Sequence, residues 1–451
     1  MGRLFGSDGV RGRANQYLTA ELALDLAVAA SRVLVEGSGE RRRAIVGRDP
    51  RLSGEFLECA VAAGIASTGV DVVRVGILPT PGLAHLVRAT GADMGIMLTA
   101  SHNPMPENGL KFFRSGGYKL DDLLEQQIEL RMQQPWRRPM GAAIGRVGDA
   151  PRLVDDYVHH LVASVRAAAG QKVSLVGLKV VLDLANGAAH RTAPAAFREL
   201  GAEVVVINGR PNGVNINDRC GSGNPAELQR AVLEHGADLG LALDGDADRC
   251  IAAAHDGDIV DGDQIMAVLA LALQEQGRLA HDTIVATTMS NLGLDHALAE
   301  HGIRVVRTDV SDRFVAAAMR EGGYVLGGEQ VGHVVLGEHA TTGDGALTGL
   351  MLMAVMAETG APLGELAGFV HLLPQELVNV PEVDRSRVES DPVVVAAREE
   401  AERELADRGR VLLRPSGTEQ VVRVMVECVD ADRARVVAEQ LAEVVRERLA
   451  L

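Results

Sequence analysis

Residues 244–249 read Asp-Gly-Asp-Ala-Asp-Arg. In an extended segment, positions two apart share a face, so this spacing predicts Asp244, Asp246 and Asp248 side by side. Carboxylates so crowded repel one another unless a cation lies between them. A ligand set made only of oxygens points to a hard ion, Mg²⁺ or Ca²⁺. An EF-hand is excluded, because the sixth loop position is Arg249 rather than Gly and the twelfth is His255 rather than Glu. The alternative reading is a solvated acidic turn. The similar stretch His255–Asp263 follows a strand and reads as a hairpin turn.

Other segments carry groups suited to phosphate. Thr99–Pro104 (TASHNP) presents Ser101 as a nucleophile with His102 beside it. A loop serine can carry a phosphoryl group where a metal and cations neutralise it; an N-cap and a Pro-bearing turn explain the same residues. No GxSxG elbow accompanies Ser101, which disfavours a Ser-His-Asp hydrolase. Lys111 follows on a predicted strand, where it either snorkels at an edge or works as an acid or base beside phosphate. Gly6–Gly12 (GSDGVRG) offers Arg11, and Gly327–His333 (GGEQVGH) offers Glu329 and His333. Arg414–Glu419 (RPSGTE) combines a guanidinium, two hydroxyls and a Gly-permitted turn, which suits either a phosphate or a plain β-turn. Neither a Walker A loop nor a GxGxxG opening a helix is present, so nucleotide cofactors find no support.

The elements that must position these groups repeat as strand, Gly-bearing loop and amphipathic helix. Apolar runs at 43–47, 70–75, 95–98, 179–184, 203–207, 239–243, 283–288, 304–308 and 324–326 read as buried strands. Their alternation with helices predicts α/β layers with largely parallel sheets. TASHNP, DGDADR and GGEQVG follow predicted strands, where open α/β sheets bind ligands. Residues 131–152, rich in Pro, Gly and Arg, read as a boundary or surface connection. From 372 to 393 the rhythm breaks, and a charged helix, two strands and a final helix complete a small α+β domain.

The 451 residues allow two to four domains. Aromatics are only 3%, so the cores rest on Val, Leu, Ile and Ala. A net charge of −16 disfavours nucleic acid and anionic membranes as partners, while leaving small phosphorylated substrates open. Cys59, Cys220, Cys250 and Cys428 form no CxxC pair and read as reduced thiols. No secretory h-region opens the sequence, and no apolar run approaches the roughly 18 residues of a spanning helix. The expectation is a cytoplasmic protein.

Taken in order, these motifs resemble the α-D-phosphohexomutase superfamily along the whole chain. The GEQ of Gly328–Gln330, DGDADRC, PNGVNINDRCGS and ATTGDG at Ala340–Gly345 resemble its branch of bacterial phosphoglucosamine mutases. The resemblance implies four domains around a central cleft, three similar mixed α/β sheet domains plus a C-terminal α+β domain, at 1–150, 151–252, 253–370 and 371–451. It implies phosphoserine at Ser101, and Mg²⁺ held by Asp244, Asp246, Asp248 and the Ser101 phosphate. Arg11, Lys111, Arg249 and His102 would serve the transfer. Glu329, Val331 and His333 would face the sugar. Arg414, Ser416, Gly417, Thr418 and Arg423 would grip the phosphate that is not transferred. The implied reaction takes glucosamine 6-phosphate to glucosamine 1-phosphate through a sugar 1,6-bisphosphate, in a monomer or homodimer.

The chain departs from the family pattern at Ser7, Gly223, Asn224, Ser311, Phe314, Val331 and Gln420. Val331 replaces a serine hydroxyl, and a sugar hydroxyl facing it in a closed cleft would lose a partner at roughly 1–3 kcal/mol. That raises a second reading, a diverged mutase for a modified sugar or cyclitol phosphate, against which stands simple drift, with water or a neighbour replacing the lost contact. Two others are a phosphatase and a non-catalytic sugar-phosphate sensor. The intact transfer set argues against the sensor, and two separate phosphate-gripping features suit a bisphosphate better than a phosphatase substrate.

Overall fold

Strands rich in Val, Ile, Leu and Ala, several of them followed by a Gly-bearing turn, build three mixed sheets and one antiparallel sheet. The computed structural model describes residues 3–6, 8–35, 42–170, 173–415 and 420–451. In chain order the strands are β1 (Val10–Arg13), β2 (Arg43–Arg48), β3 (Asp71–Ile77), β4 (Met94–Leu98), β5 (Glu107–Arg114), β6 (Tyr118–Lys119) and β7 (Val147–Asp149). They are followed by β8 (Lys179–Asp183), β9 (Glu203–Ile207), β10 (Leu239–Leu243), β11 (Cys250–Ala254) and β12 (Ile259–Val260). Next come β13 (Thr283–Thr287), β14 (Arg304–Thr308), β15 (Leu326–Gly328) and β16 (Val334–Leu336), and last β17 (Gln375–Pro381), β18 (Gly409–Pro415) and β19 (Val421–Cys428).

The first sheet runs β1-β5-β4-β2-β3-β7, with β6 on β5. The second runs β12-β11-β10-β8-β9, the third β14-β13-β15-β16 and the fourth β17-β19-β18. In each of the first three a parallel core meets antiparallel strands on one side, as at β4–β5, β10–β11 and β15–β16. The expectation of largely parallel sheets is corrected accordingly: the strand after each motif loop turns straight back, because those loops are too short for a helical crossover. Two other sequence readings change. Residues 131–152 are not only a connection, since β7 pairs with β3. The hairpin of β11 and β12 belongs with β10, so the second sheet extends through Val260 and is not divided at 252.

Two compact units result, residues Met1–Met289 with Ile303–Gly368, and residues Ser290–Gly302 with Phe369–Leu451. The first holds all three mixed sheets, and the second holds the antiparallel sheet. The second unit's core is aliphatic, with Val422, Val424 and Val426 of β19 packed against Val437, Leu441 and Val445 of the helix Ala431–Leu449. Several helices begin where a side-chain oxygen satisfies free N–H groups. Asp261 and Gln264 form a capping box at Gly262–Glu275, and Asp344 accepts from the Leu347 N–H at Gly345–Thr359.

One packing contact has a pH consequence. The His85 and His160 rings stack at 3.9 Å between the helices Thr80–Ala89 and Leu153–Ala169. Burial, with the neighbouring imidazole and Arg88, pushes His85 down to about 4. Burial and His339 do the same to His160. Between pH about 6.5 and 4 the unfolded chain binds protons here that the folded chain does not. Stability is therefore retained above that window and lost as the pH falls through it. Thermal melts should show a shallower acid decline for the double variant His85→Phe/His160→Phe than for the parent. Equal slopes would contradict this.

Candidate active site

Ser101 follows β4 in a left-handed conformation at φ 52°, with its side chain buried. Its loop is clamped from beneath. The fully buried Arg51 guanidinium pairs with Asp49 at 2.9 Å and donates to the carbonyls of Ser101, Asn103, Pro104 and Glu107 at 2.7–3.1 Å. Asn217, from the PNGVNIND stretch, donates to the Ser101 carbonyl at 2.8 Å and the Asn103 carbonyl at 3.0 Å. Gly245 packs so closely that a Cβ there would lie 2.6 Å from the Ser101 oxygen. These contacts fix the backbone and leave Oγ aimed at Asp244 Oδ2, 2.7 Å away.

The three aspartates converge as the sequence suggests, but not by extended alternation. Residues 244–249 form a turn after β10, with Ala247 at φ 59°. That left-handed residue bends the chain so that one oxygen of each carboxylate lies within 4.8 Å of the others. All are buried. Asp246 and Asp248 each keep a buried Oδ1 with no hydrogen-bond donor. Burial, then repulsion from Asp248 and Asp246, pushes Asp244 well above the usual carboxylate range. An oxygen-only, desolvated cluster with two unmatched oxygens fits a divalent cation.

Lys111 on β5 spans this cluster. Its Nζ donates to Asp246 at 2.7 Å and Asp248 at 2.9 Å, and pairs with Asp8 at 2.9 Å. Burial opposes its charge, but Asp246, Asp248 and Asp8 outweigh it and hold the ammonium well above its ordinary range. Asp8 also pairs with Arg11. Arg249 donates its N–H to Asp244 Oδ1 at 3.2 Å, and its buried Nε faces no acceptor, as is true of Arg11. His102 Nδ1 lies 3.2 Å from Ser101 Oγ. Burial of the ring with Arg249 and Arg11 nearby pushes His102 down to about 4, although the residue as a whole reaches solvent.

The GGEQVGH motif begins inside β15. Burial pushes Glu329 up. His333 is buried, accepts the Gly343 N–H at 3.2 Å and lies 3.6 Å from Asp312. Val331 is 45% exposed. At a half-exposed position water can replace a lost hydroxyl. Gly223 and Asn224 are exposed as well. In the second unit Arg414 and Arg423 are cross-strand partners on β18 and β19, both exposed. Ser416, Gly417 and Thr418 lie outside the described residues, as does Ser7.

Several participants escaped sequence reasoning: Asp8, Arg51, Thr80, Lys119, Asn217 and Asp312. Thr80 donates its N–H to the Asp246 backbone carbonyl, at 3.0 Å, and its hydroxyl to Asp246 Oδ2. Asp8 and Asn217 sit inside motifs already singled out and Asp312 lies between Ser311 and Phe314, so a signal was present for these three.

Comparison with known proteins places these residues in a family. Four family descriptions match in chain order: Phosphoglucomutase/phosphomannomutase alpha/beta/alpha domains I, II and III over residues 2–136, 155–257 and 261–372, and the C-terminal domain over 377–444. Phosphoglucosamine mutases of Streptomyces coelicolor and Cutibacterium acnes are 59% and 58% identical, over 100% of both chains. A phosphoglucomutase/phosphomannomutase family protein of Burkholderia thailandensis superposes with a TM-score of 0.83 at 25% identity, covering 99% of this chain and 97% of that one. The Aspergillus fumigatus N-acetylphosphoglucosamine mutase, solved with GlcNAc-6P and magnesium, shares the fold at a TM-score of 0.70 and 19% identity, over 99% and 96% of the chains. The chain belongs to the phosphoglucomutase/phosphomannomutase family, among its phosphoglucosamine mutases.

Proposed function

We propose that this protein interconverts glucosamine 6-phosphate and glucosamine 1-phosphate, with Ser101 carrying the phosphoryl group. The observation that supports this most is the buried Ser101 Oγ, 2.7 Å from Asp244 in a cluster of three buried aspartates, two of which keep an oxygen with no donor. In this reading phospho-Ser101 gives its phosphoryl group to the free hydroxyl of the sugar monophosphate. The Oγ–P bond breaks, a sugar O–P bond forms, the proton of the sugar hydroxyl is balanced by one taken up at Oγ, and a bisphosphate results. The bisphosphate turns over, and its other phosphate returns to Oγ.

Asp244, Asp246, Asp248 and the Ser101 phosphate would hold Mg²⁺, which when bound stabilises the negative charge of the transferring group. Lys111, Arg11 and Arg249 add fixed positive charge around the same oxygen atoms. They are set before the sugar arrives, so little reorganisation accompanies transfer. His102, neutral near pH 7, exchanges the proton at Oγ. Glu329 and His333 bind sugar hydroxyls. Arg414, Ser416, Gly417, Thr418 and Arg423 bind the phosphate that is not transferred, and a sugar 1,6-bisphosphate loads Ser101. We place the protein in the cytoplasm, as a monomer or homodimer with no nucleic-acid or membrane partner.

A product assay with Mg²⁺ and glucose 1,6-bisphosphate tests this, with glucosamine 6-phosphate beside glucose, mannose and N-acetylglucosamine phosphates. Selective conversion of glucosamine 6-phosphate is expected. Weak conversion throughout, with Ser101 still loaded, would favour the diverged mutase. Its exposure gives Val331 a minor part, so Val331→Ser should change kcat/KM by less than about threefold. A gain of tenfold or more would mean that specificity had been retuned there.

A further inference from the structure

Beyond the transfer set, a file of ion pairs runs from Lys111 to Asp312, which lies against the sugar loop at His333. Lys111 sits on Asp246 and Asp248 and also on Asp8 Oδ2 at 2.9 Å. Asp8 Oδ1 takes Lys119 Nζ at 2.8 Å. Lys119 in turn pairs with Asp312 Oδ2, and that same oxygen lies 3.6 Å from His333 Nε2. Lys119 comes from β6 of the first sheet, while Asp312 opens the helix Asp312–Gly322 beside the third sheet. Every member of the file from Asp312 to Asp248 is at most 16% exposed at its side chain, so screening by solvent is weak.

Two other contacts join the same regions without touching the transfer set. Arg313 pairs with Asp122 at 2.9 Å and Glu125 at 3.0 Å, and the Thr341 hydroxyl donates to the Gly117 carbonyl at 2.5 Å. They can hold the two regions together in the absence of Lys119. What Lys119 adds is a charged, desolvated link between the group that neutralises the phosphate and the loop that holds the sugar.

We propose that Lys119 is a positioning residue of the transfer, whose ammonium, shared by Asp8 and Asp312, sets the placement of the His333 and Glu329 loop against Lys111 and Ser101. This rests on the reading of Ser101 as the phosphoryl carrier and of that loop as the sugar site. Without the link the acceptor hydroxyl is misplaced relative to the phosphoryl group, and misplacement by an ångström costs about 100-fold in rate. Transfer to water needs no such alignment.

The test loads Ser101 with ³²P from labelled glucose 1,6-bisphosphate and follows loss of label with and without saturating glucosamine 6-phosphate. For Lys119→Met, the ratio of transfer to sugar over transfer to water should fall about 100-fold. Lys119→Arg should recover at least tenfold of it. The double variant Lys119→Met/Asp312→Asn should recover nothing, since the link is still missing. An unchanged ratio, an arginine variant no better than methionine, or recovery in the double variant would each overturn the proposal. The last would show that only a stray carboxylate was at fault. If the parent itself shows no acceleration by the sugar, the reading of the function fails instead, which this design separates from a failure of Lys119.

Discussion

Ser101→Ala should lower conversion of glucosamine 6-phosphate by at least about 10⁴-fold while leaving the fold in place. The loss is large because alanine has no hydroxyl to carry the phosphoryl group. The fold should survive because the contacts that shape this loop are made to the backbone. Arg51 and Asn217 hold the Ser101 carbonyl, and the Ser101 N–H donates to Thr99 Oγ1 at 2.9 Å. Alanine keeps all of these. The product assay, run beside a thermal melt, checks both halves. Conversion within tenfold of the parent would show that another residue carries the phosphate.

Asp246→Asn should cost about 100- to 1,000-fold in turnover and raise the divalent-cation concentration needed for half activity at least tenfold. The residue holds two things at once. Its Oδ2 accepts from Lys111 and Thr80, and its Oδ1 is buried with no donor. Asparagine fits the same space and still accepts from Thr80. It removes one charge from the three that attract a cation, and it presents an amide N–H where an oxygen ligand is needed. Lys111 keeps Asp248 and Asp8, so its own placement is not lost. Cation titration of activity, with calorimetry of Mg²⁺ binding to the same variant, separates weaker binding from slower chemistry. An unchanged Mg²⁺ midpoint would remove Asp246 from the cation site.

The sequence exposed the chemistry more readily than the geometry. Ser101, Lys111 and the three aspartates carry residue types whose functions are few, and they follow strands whose apolar character is plain. The bend at Ala247 was hidden, because a left-handed alanine is uncommon and nothing in its neighbours demands it. The pairing of Lys119 with Asp312 was illegible for a different reason. They are 193 residues apart, and each lies in a stretch that reads as turn or helix start. Only packing of the first sheet region against the third brings them together. Arg51 is a similar case: an arginine in a polar GRDPRLSG loop reads as solvated, yet it is fully buried because four carbonyls and Asp49 satisfy it. Val331 shows the reverse. Its departure from the family pattern was visible, but its exposure, which decides how much the departure costs, was not.

The most direct test of Ser101 as the carrier is a label chase. Protein loaded from ³²P-labelled glucose 1,6-bisphosphate is digested to locate the label, and a second portion is mixed with unlabelled glucosamine 6-phosphate and quenched at successive times. The label should lie on the peptide containing Ser101 and should pass to the sugar bisphosphate at least as fast as steady-state turnover. Label on another residue, or label released as inorganic phosphate rather than transferred to sugar, would contradict the account.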